Sequence, residues 1–186
     1  MKKGLLAFIL GFFFLTSYGQ TEYGFADGVI ITKQGDSIKC QVEMAVTYGN
    51  KIAYRKNPNG EELYIPSKDI KSLTTPYKHW KNIQVGKKEK LMSLVVDGEA
   101  KLFNHVTINV GPSTPGQGGT YAMYNAPTVM YVLEKDGVFY ELKKKDFKAS
   151  ITTTLASCKS VVDKVNTKQY KFDDLEKVIT EFNLCK

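Results

Sequence analysis

The side chains best equipped for chemistry are two histidines, three cysteines and 19 acids, so the first question is whether any spacing joins them into a reactive set. His79 and His105 stand in separate segments. No His-x-His, His-Glu-x-x-His or Cys-x-x-Cys pattern offers the clustered nitrogen and sulfur donors that a metal needs. A Ser–His–Asp or Cys–His group is assembled by the fold and leaves no fixed spacing. Neither a Gly-x-Ser-x-Gly elbow nor a phosphate-cradling glycine loop marks one here, and a glycosidase carboxylate pair is equally unmarked. The expectation is no identified catalytic residue, no metal and no cofactor. By strand parity His105 shares a face with Phe103 and Thr107, opposite Leu102 and Val106, as a half-exposed strand residue. His79, among Lys78, Trp80 and Lys81, reads as a surface strand or turn.

Cys158 and Cys185 bracket the last helical segment and are expected to form a disulfide. Closing that loop in the unfolded chain is worth on the order of 3.5 kcal/mol. Cys40 is the odd one, on a strand face with Ile38, Val42 and Met44. It is either a nucleophile or intermolecular bridge, or a small buried hydrophobe. With no cation visible on its own face to lower its pKa, the buried thiol is the better reading.

The segment most suited to recognition is Gly111–Pro127, which holds four of the 15 Gly and three of the 6 Pro. It ends in Tyr121, Met123, Tyr124 and Asn125, whose amphipathic rings suit stacking on a sugar or anchoring a protein partner. A linker whose tyrosines dock on the protein's own surface is the competing reading.

These residues need a frame, and 186 residues with 42% apolar and 24% charged side chains can build one. Lys2 and Lys3 precede an apolar run from Leu5 to Leu15, and Ser17 and Gly19 are small residues where a signal peptidase reads. The run is too short for a bilayer-spanning helix, which takes about 20 residues. Residues 1–19 are therefore read as a signal peptide, with an exported protein (periplasmic, surface or extracellular) beginning at Gln20. Losing Lys2 and Lys3 leaves 24 Lys+Arg against 19 Asp+Glu, a net charge of +5, and Arg55 is the only arginine. Positive charge carried by lysine at 23 of these 24 positions argues against a dedicated nucleic-acid reader, which favours the guanidinium fork.

Residues 20–145 read as antiparallel β-structure, a sandwich or partly open barrel. Val29–Thr32 and Ile38–Met44 flank a turn, and Ile52–Lys56 with Glu62–Ile65 flank Asn59-Gly60. A short helical turn at Pro66–Ile70 leads into Leu73. Asp97-Gly98 and Asp136-Gly137 close two further hairpins, Leu91–Val96 with Lys101–Val110 and Val129–Leu133 with Val138–Leu142. Residues 51–72 align with 128–149 at an offset of 77, pairing Tyr54 with Tyr131 and Asp69 with Asp146, which admits two related halves or two ordinary hairpins. Residues 146–186 read as a helical pair packed on the sheet, so the fold class is α+β, mainly β. One helix carries Phe147, Ile151, Leu155, Cys158 and Val162 on one face after Asp146 as N-cap. The other follows a capping box of Asp173 and Glu176 and carries Leu175, Val178, Ile179 and Phe182.

Three stretches carry a resemblance: Gly28-Val29-Ile30 with Gly35-Asp36-Ser37-Ile38, Tyr64 to Ile70, and Asp174-Leu175-Glu176 with Phe182-Asn183-Leu184-Cys185. Together they resemble exported β-rich proteins of Bacteroidetes-type bacteria. The resemblance implies export and a β-rich fold and brings no catalytic residues. Asp36-Ser37-Ile38 also looks like the acidic–hydroxyl–apolar site such bacteria O-glycosylate, although a plain hairpin turn accounts for it. The leading function class is a non-enzymatic envelope module binding a protein or glycan. The alternatives are a hydrolase with a fold-assembled site and a small-ligand carrier with an internal cavity. Cleavage between Gly19 and Gln20 is expected, so the intact mass of exported protein should match residues 20–186, with Gln20 free or cyclised. A mature species that retains Lys2 and Lys3 contradicts it.

Overall fold

A computed structural model describes residues 24–44, 50–110 and 125–185, leaving aside the side chains of 108–110 and 125–126. The expected cleavage site lies outside these residues. The first five strands are β1 (Phe25–Thr32), β2 (Ser37–Glu43), β3 (Lys51–Arg55), β4 (Leu63–Pro66) and β5 (Ile70–Thr74). The next five are β6 (His79–Val85), β7 (Lys88–Val96), β8 (Ala100–Val110), β9 (Asn125–Lys135) and β10 (Val138–Leu142). All join one antiparallel sheet in the order β10-β9-β8-β7-β6-β5-β1-β2-β3-β4. Helices α1 (Phe147–Thr154), α2 (Lys159–Asn166) and α3 (Leu175–Leu184) follow. The fold is α+β, mainly β, as the turn chemistry and strand alternation imply.

The two halves of the sheet bury opposite faces. Ile30, Cys40, Val42, Ile52, Ile70 and Leu73 of the first half pack with Trp80 and Leu91 into one cluster. Ile83, Met92, Phe103 and Val132 of the second half form another. Side chains alternate across a strand, so Trp80 and Ile83 on β6, and Leu91 and Met92 on β7, point to opposite sides. This is why β6 shows no period-two pattern and reads from sequence as surface: its two buried residues serve different cores. Each half also curls. β4 and β5 have β1, β2 and β3 between them, yet only the 3-10 turn Ser67–Asp69 connects them. The Asn82 side-chain amide donates to the carbonyls of Ser67 (3.2 Å) and Ile70 (2.9 Å), tying that turn to β6. In the second half Lys81 of β6 lies 4.9 Å from the ring centre of Phe139 on β10, across three intervening strands.

The offset of 77 holds through both hairpins and their following turns, since Ser67–Asp69 maps onto the 3-10 turn Lys144–Asp146. It fails immediately after, where β5 corresponds to α1. The hairpin registers also differ: Tyr54 pairs with Leu63, whereas Tyr131 pairs with Leu142, two residues beyond the equivalent of Leu63. A shift of two keeps every side chain on its face, so both registers satisfy the same apolar pattern. The tight Asp136-Gly137 turn, with φ of 53° and 77°, sets the second.

The remaining face of the second half is covered by the helices. Ala100, Leu102, Leu133 and Leu142 meet Phe147, Ile151, Leu155, Val161, Val178, Ile179 and Phe182 in the largest cluster. The first expected helix is broken in two. After the β-branched Ile151–Thr154 run, Leu155 leaves helical geometry (ψ 27°) and Cys158 is extended (φ −105°, ψ 93°) before α2 begins. The break resets the periodicity, and Val161 rather than Val162 is buried. Asp146 precedes α1 without making a side-chain cap bond. The capping carboxylate of the last helical segment is Asp174 rather than Asp173, accepting from the Lys171 N–H at 3.1 Å and from Lys177 at 3.2 Å. The backbone bond first, then Lys177, holds the Asp174 carboxyl below its usual range. The apolar stripe Leu175, Val178, Ile179, Phe182 is buried as its spacing implies.

Two devices fasten α3. Cys158 and Cys185 form a disulfide with Cα atoms 5.9 Å apart, while Cys40 stays a free, buried thiol. Asn183 grips the β7–β8 hairpin: its Oδ1 accepts from the Ala100 N–H (2.8 Å), and its Nδ2 donates to the carbonyls of Ala100 (2.9 Å) and Asp97 (3.3 Å). Ala100 is fully buried, so those backbone groups have no water to fall back on. A Cβ at Gly98 would stand 2.4 Å from the Asn183 amide nitrogen, which restricts that turn position to glycine. Asn183→Ala should therefore cost roughly 2–3 kcal/mol in urea unfolding, the scale of leaving buried backbone groups unpaired. Asn183→Asp keeps the acceptor but turns a carboxylate oxygen toward the Ala100 and Asp97 carbonyls, so it should cost at least as much at neutral pH, with the disulfide intact in both.

Candidate functional site

β8 and β9 are the longest strands, and they pair without a gap from Ala100↔Lys135 to Val110↔Asn125. The bridge to β7 ends at Ser93↔Asn104 and the bridge to β10 at Leu142↔Tyr131. The strand ladder of residues 105–110 and 125–130 therefore runs between the two segments, as a two-stranded arm. Asn125 and Pro127, read from sequence as loop, are strand residues opposite Val110 and Ile108. Tyr121, Met123 and Tyr124 lie outside the described residues, in the segment that joins the two ends of this arm.

The arm carries a signal that sequence reading missed. From Leu102 to Leu133 there is no Asp, Glu, Lys or Arg, in a chain that is 24% charged. The part of this run on β8 and β9 up to the sheet is explained by burial on both faces: Leu102 and Leu133 lie under the helices, and Phe103 and Val132 lie in the opposite core. Burial does not explain its outer part, where Thr107, Thr128 and Val129 are exposed.

His105 sits where the ladder to β7 stops. Its Nδ1 lies 3.0 Å from the carbonyl of Leu91, which accepts from the ring N–H. Half-buried there, the ring has its pKa pushed below the usual histidine value, by burial first and by nearby Lys90 in addition. His105 therefore anchors the root of the arm as a neutral imidazole. His79 begins β6 and hydrogen-bonds Thr74 Oγ1 through Nδ1 at 2.8 Å.

A cleft of about 410 Å³ opens on the face of the second half opposite the helices. Lys71, Ser72, His79, Lys81, Lys101 and Glu134 surround it, and Leu94 and the buried Phe103 supply its apolar part. Lys81 reaches Glu134 at 3.4 Å across the curl, and Lys101 reaches the exposed Asp97 at 3.3 Å. Lys71 has no ion-pair partner among the described residues. A second, shallower depression of about 580 Å³ lies in the first half beside Gly28, Lys39, Lys56 and Cys40. Burial pushes the Cys40 thiol up, so it is a poor nucleophile, and its Sγ contacts the Ile38 carbonyl at 3.5 Å. Among the described residues no group of three His, Cys, Asp or Glu side chains is placed to hold a metal. No helix among them is long and apolar enough to cross a membrane.

No protein-family model, curated protein or solved structure matches the chain.

Because the folded pKa of His105 lies below the unfolded value, its contribution to stability is present above about pH 6.5 and lost as pH falls from there toward the folded pKa. His105→Gln, which keeps an N–H donor without a titrating ring, should lose less stability than wild type between pH 7 and pH 5 in parallel urea titrations. Equal losses in the two proteins contradict the assignment.

Proposed function

We propose that this protein is an exported, non-enzymatic binding module of the cell envelope, and that its partner contact is the β8–β9 arm. The observation that carries the reading is the absence of charge from Leu102 to Leu133 on a strand pair that outruns the sheet on both sides. Natural proteins guard free strand edges with lysine, proline or a covering element, because unpaired N–H and C=O groups recruit other chains. The chain has 25 lysines, and none falls between Lys101 and Lys135. Pro127 removes one N–H from β9, while residues 105–110 of β8 include neither proline nor a charged side chain. A two-stranded ribbon is marginally stable alone in water, and charge depletion is the compositional mark of an interface core. An extended segment of a partner protein pairing with the β8 edge satisfies both conditions. Tyr121 and Tyr124, at the far end of the arm in sequence, are the candidate aromatic anchors.

Export is supported by the basic-then-apolar N-terminus, by the resemblance of the three short stretches and by the Cys158–Cys185 disulfide. A non-enzymatic role is supported by the separation of the two histidines, whose ring contacts are a threonine hydroxyl and a backbone carbonyl, with no carboxylate or nucleophile among the hydrogen bonds of either ring in the described residues. The test is capture of envelope proteins by wild type beside two arm variants. Thr107→Lys with Val129→Lys puts charge on exposed arm positions, and Tyr121→Ala with Tyr124→Ala removes the anchors. Both should lose the captured partner while melting within a few degrees of wild type. Unchanged capture by both, or substrate turnover abolished by His79→Ala, overturns the reading.

A further inference from the structure

We propose that the cleft on the face opposite the helices binds a carboxylate-bearing sugar of an acidic polysaccharide. This site is independent of the arm. Its volume of about 410 Å³ falls in the range of small-ligand sites, about 300–1,000 Å³. Lys81 is paired with Glu134 and Lys101 with Asp97, while Lys71 has no ion-pair partner among the described residues, so the cleft carries an excess of one cation. Its internal ion pairs are weakly held: Lys81–Glu134 is 3.4 Å with the lysine 42% exposed, and Lys101–Asp97 is 3.3 Å with the aspartate 67% exposed. Exposed pairs of this kind contribute little to stability, and their lysines are available to a competing anion.

The identity of the cations narrows the ligand. Lysine is a point charge that meets single carboxylate or phosphate oxygens, and no arginine fork lines the cleft to hold either anion bidentately, so the cations call for an anion met one oxygen at a time. The neutral groups narrow it further. Ser72 and the His79 ring offer hydrogen bonds to hydroxyl groups, and the half-buried Leu94, backed by the buried Phe103, offers a small apolar surface to the C–H face of a sugar ring. The half-exposed side chains of Lys81 and Lys101 show that the cleft opens to solvent, so a sugar carried on a longer chain can reach it.

The test is titration calorimetry at low salt with trigalacturonate as the probe, beside a neutral galactose trimer, a triglutamate peptide and inorganic phosphate. Wild type should bind trigalacturonate more tightly than the other three. Lys71→Gln with Lys101→Gln should weaken binding by about tenfold, the scale of one or two charge-assisted hydrogen bonds. Glu134→Gln removes the competing carboxylate and should tighten binding several-fold. Lys148→Gln with Lys159→Gln, on exposed helix positions of the other face, should leave it unchanged. No binding of trigalacturonate, equal binding of triglutamate or phosphate, or equal weakening by the helix-face variant overturns the proposal. None of these substitutions touches the arm, so loss of the arm's partner and loss of sugar binding are separable results.

Discussion

The architecture depends on β6 and β7 being apolar on both faces. Trp80 and Leu91 close the core of the first half, while Ile83 and Met92, on the same two strands, open the core of the second. A sheet with one wet face cannot do this, because alternation would leave half of these side chains in water. Once the two middle strands carry both cores, the halves are obliged to curl to opposite sides. The concave side of the second half then becomes the cleft, and its outer side becomes the platform for the helices. The polar groups follow suit: the Asn82 amide reaches the turn before β5, and Lys81 reaches across the second curl to Glu134 and Phe139.

Much of the β-structure was legible because its strands report one face each. Ile38, Cys40 and Val42 alternate with polar neighbours, and the Asp136-Gly137 turn defines its own hairpin. β6 was not legible as a buried strand, since its buried residues are three apart and face opposite ways. The helical segment was read with the right amphipathic face at Phe147, Ile151 and Leu155. The non-helical Leu155–Cys158 link then moved the inward position from Val162 to Val161. Propensity flagged the weak point, the β-branched run, but periodicity alone carried the helix straight through it. The disulfide was legible from the position of its cysteines. The clasp made by Asn183 was not, because an asparagine near a helix end has many local uses, and only the fold brings it to Ala100.

The surfaces differ in what wrote them. The cleft collects lysines from β5, β6 and β8, which are remote in sequence, so no motif announces it. The arm is the opposite case, a single contiguous stretch whose mark is an absence of charge. Reading for motifs finds what is present at a spacing; it passes over a long depletion, which becomes meaningful only when the topology shows which part of the stretch is core and which is not. Glu181 illustrates a third kind of polar group, one that serves packing. It accepts from Lys164 (2.7 Å), Tyr170 (2.5 Å) and Ser160 (3.0 Å), and its pKa is held down by the lysine first. The cluster joins α2, α3 and the link between them.

The grip of Asn183 on Ala100 spans 83 positions along the chain. A polypeptide emerges N-terminus first, so every strand of the sheet is complete well before the residue that locks the β7–β8 hairpin exists. Until then Ala100, Leu102, Leu133 and Leu142 have only α1 and α2 to cover them. α3 is thus the element that seals this face of the sheet. Removal of residues 183–185 would take away the lock, one half of the disulfide and the final turn of α3 in the same stroke, so three functions of closure rest on one helical turn.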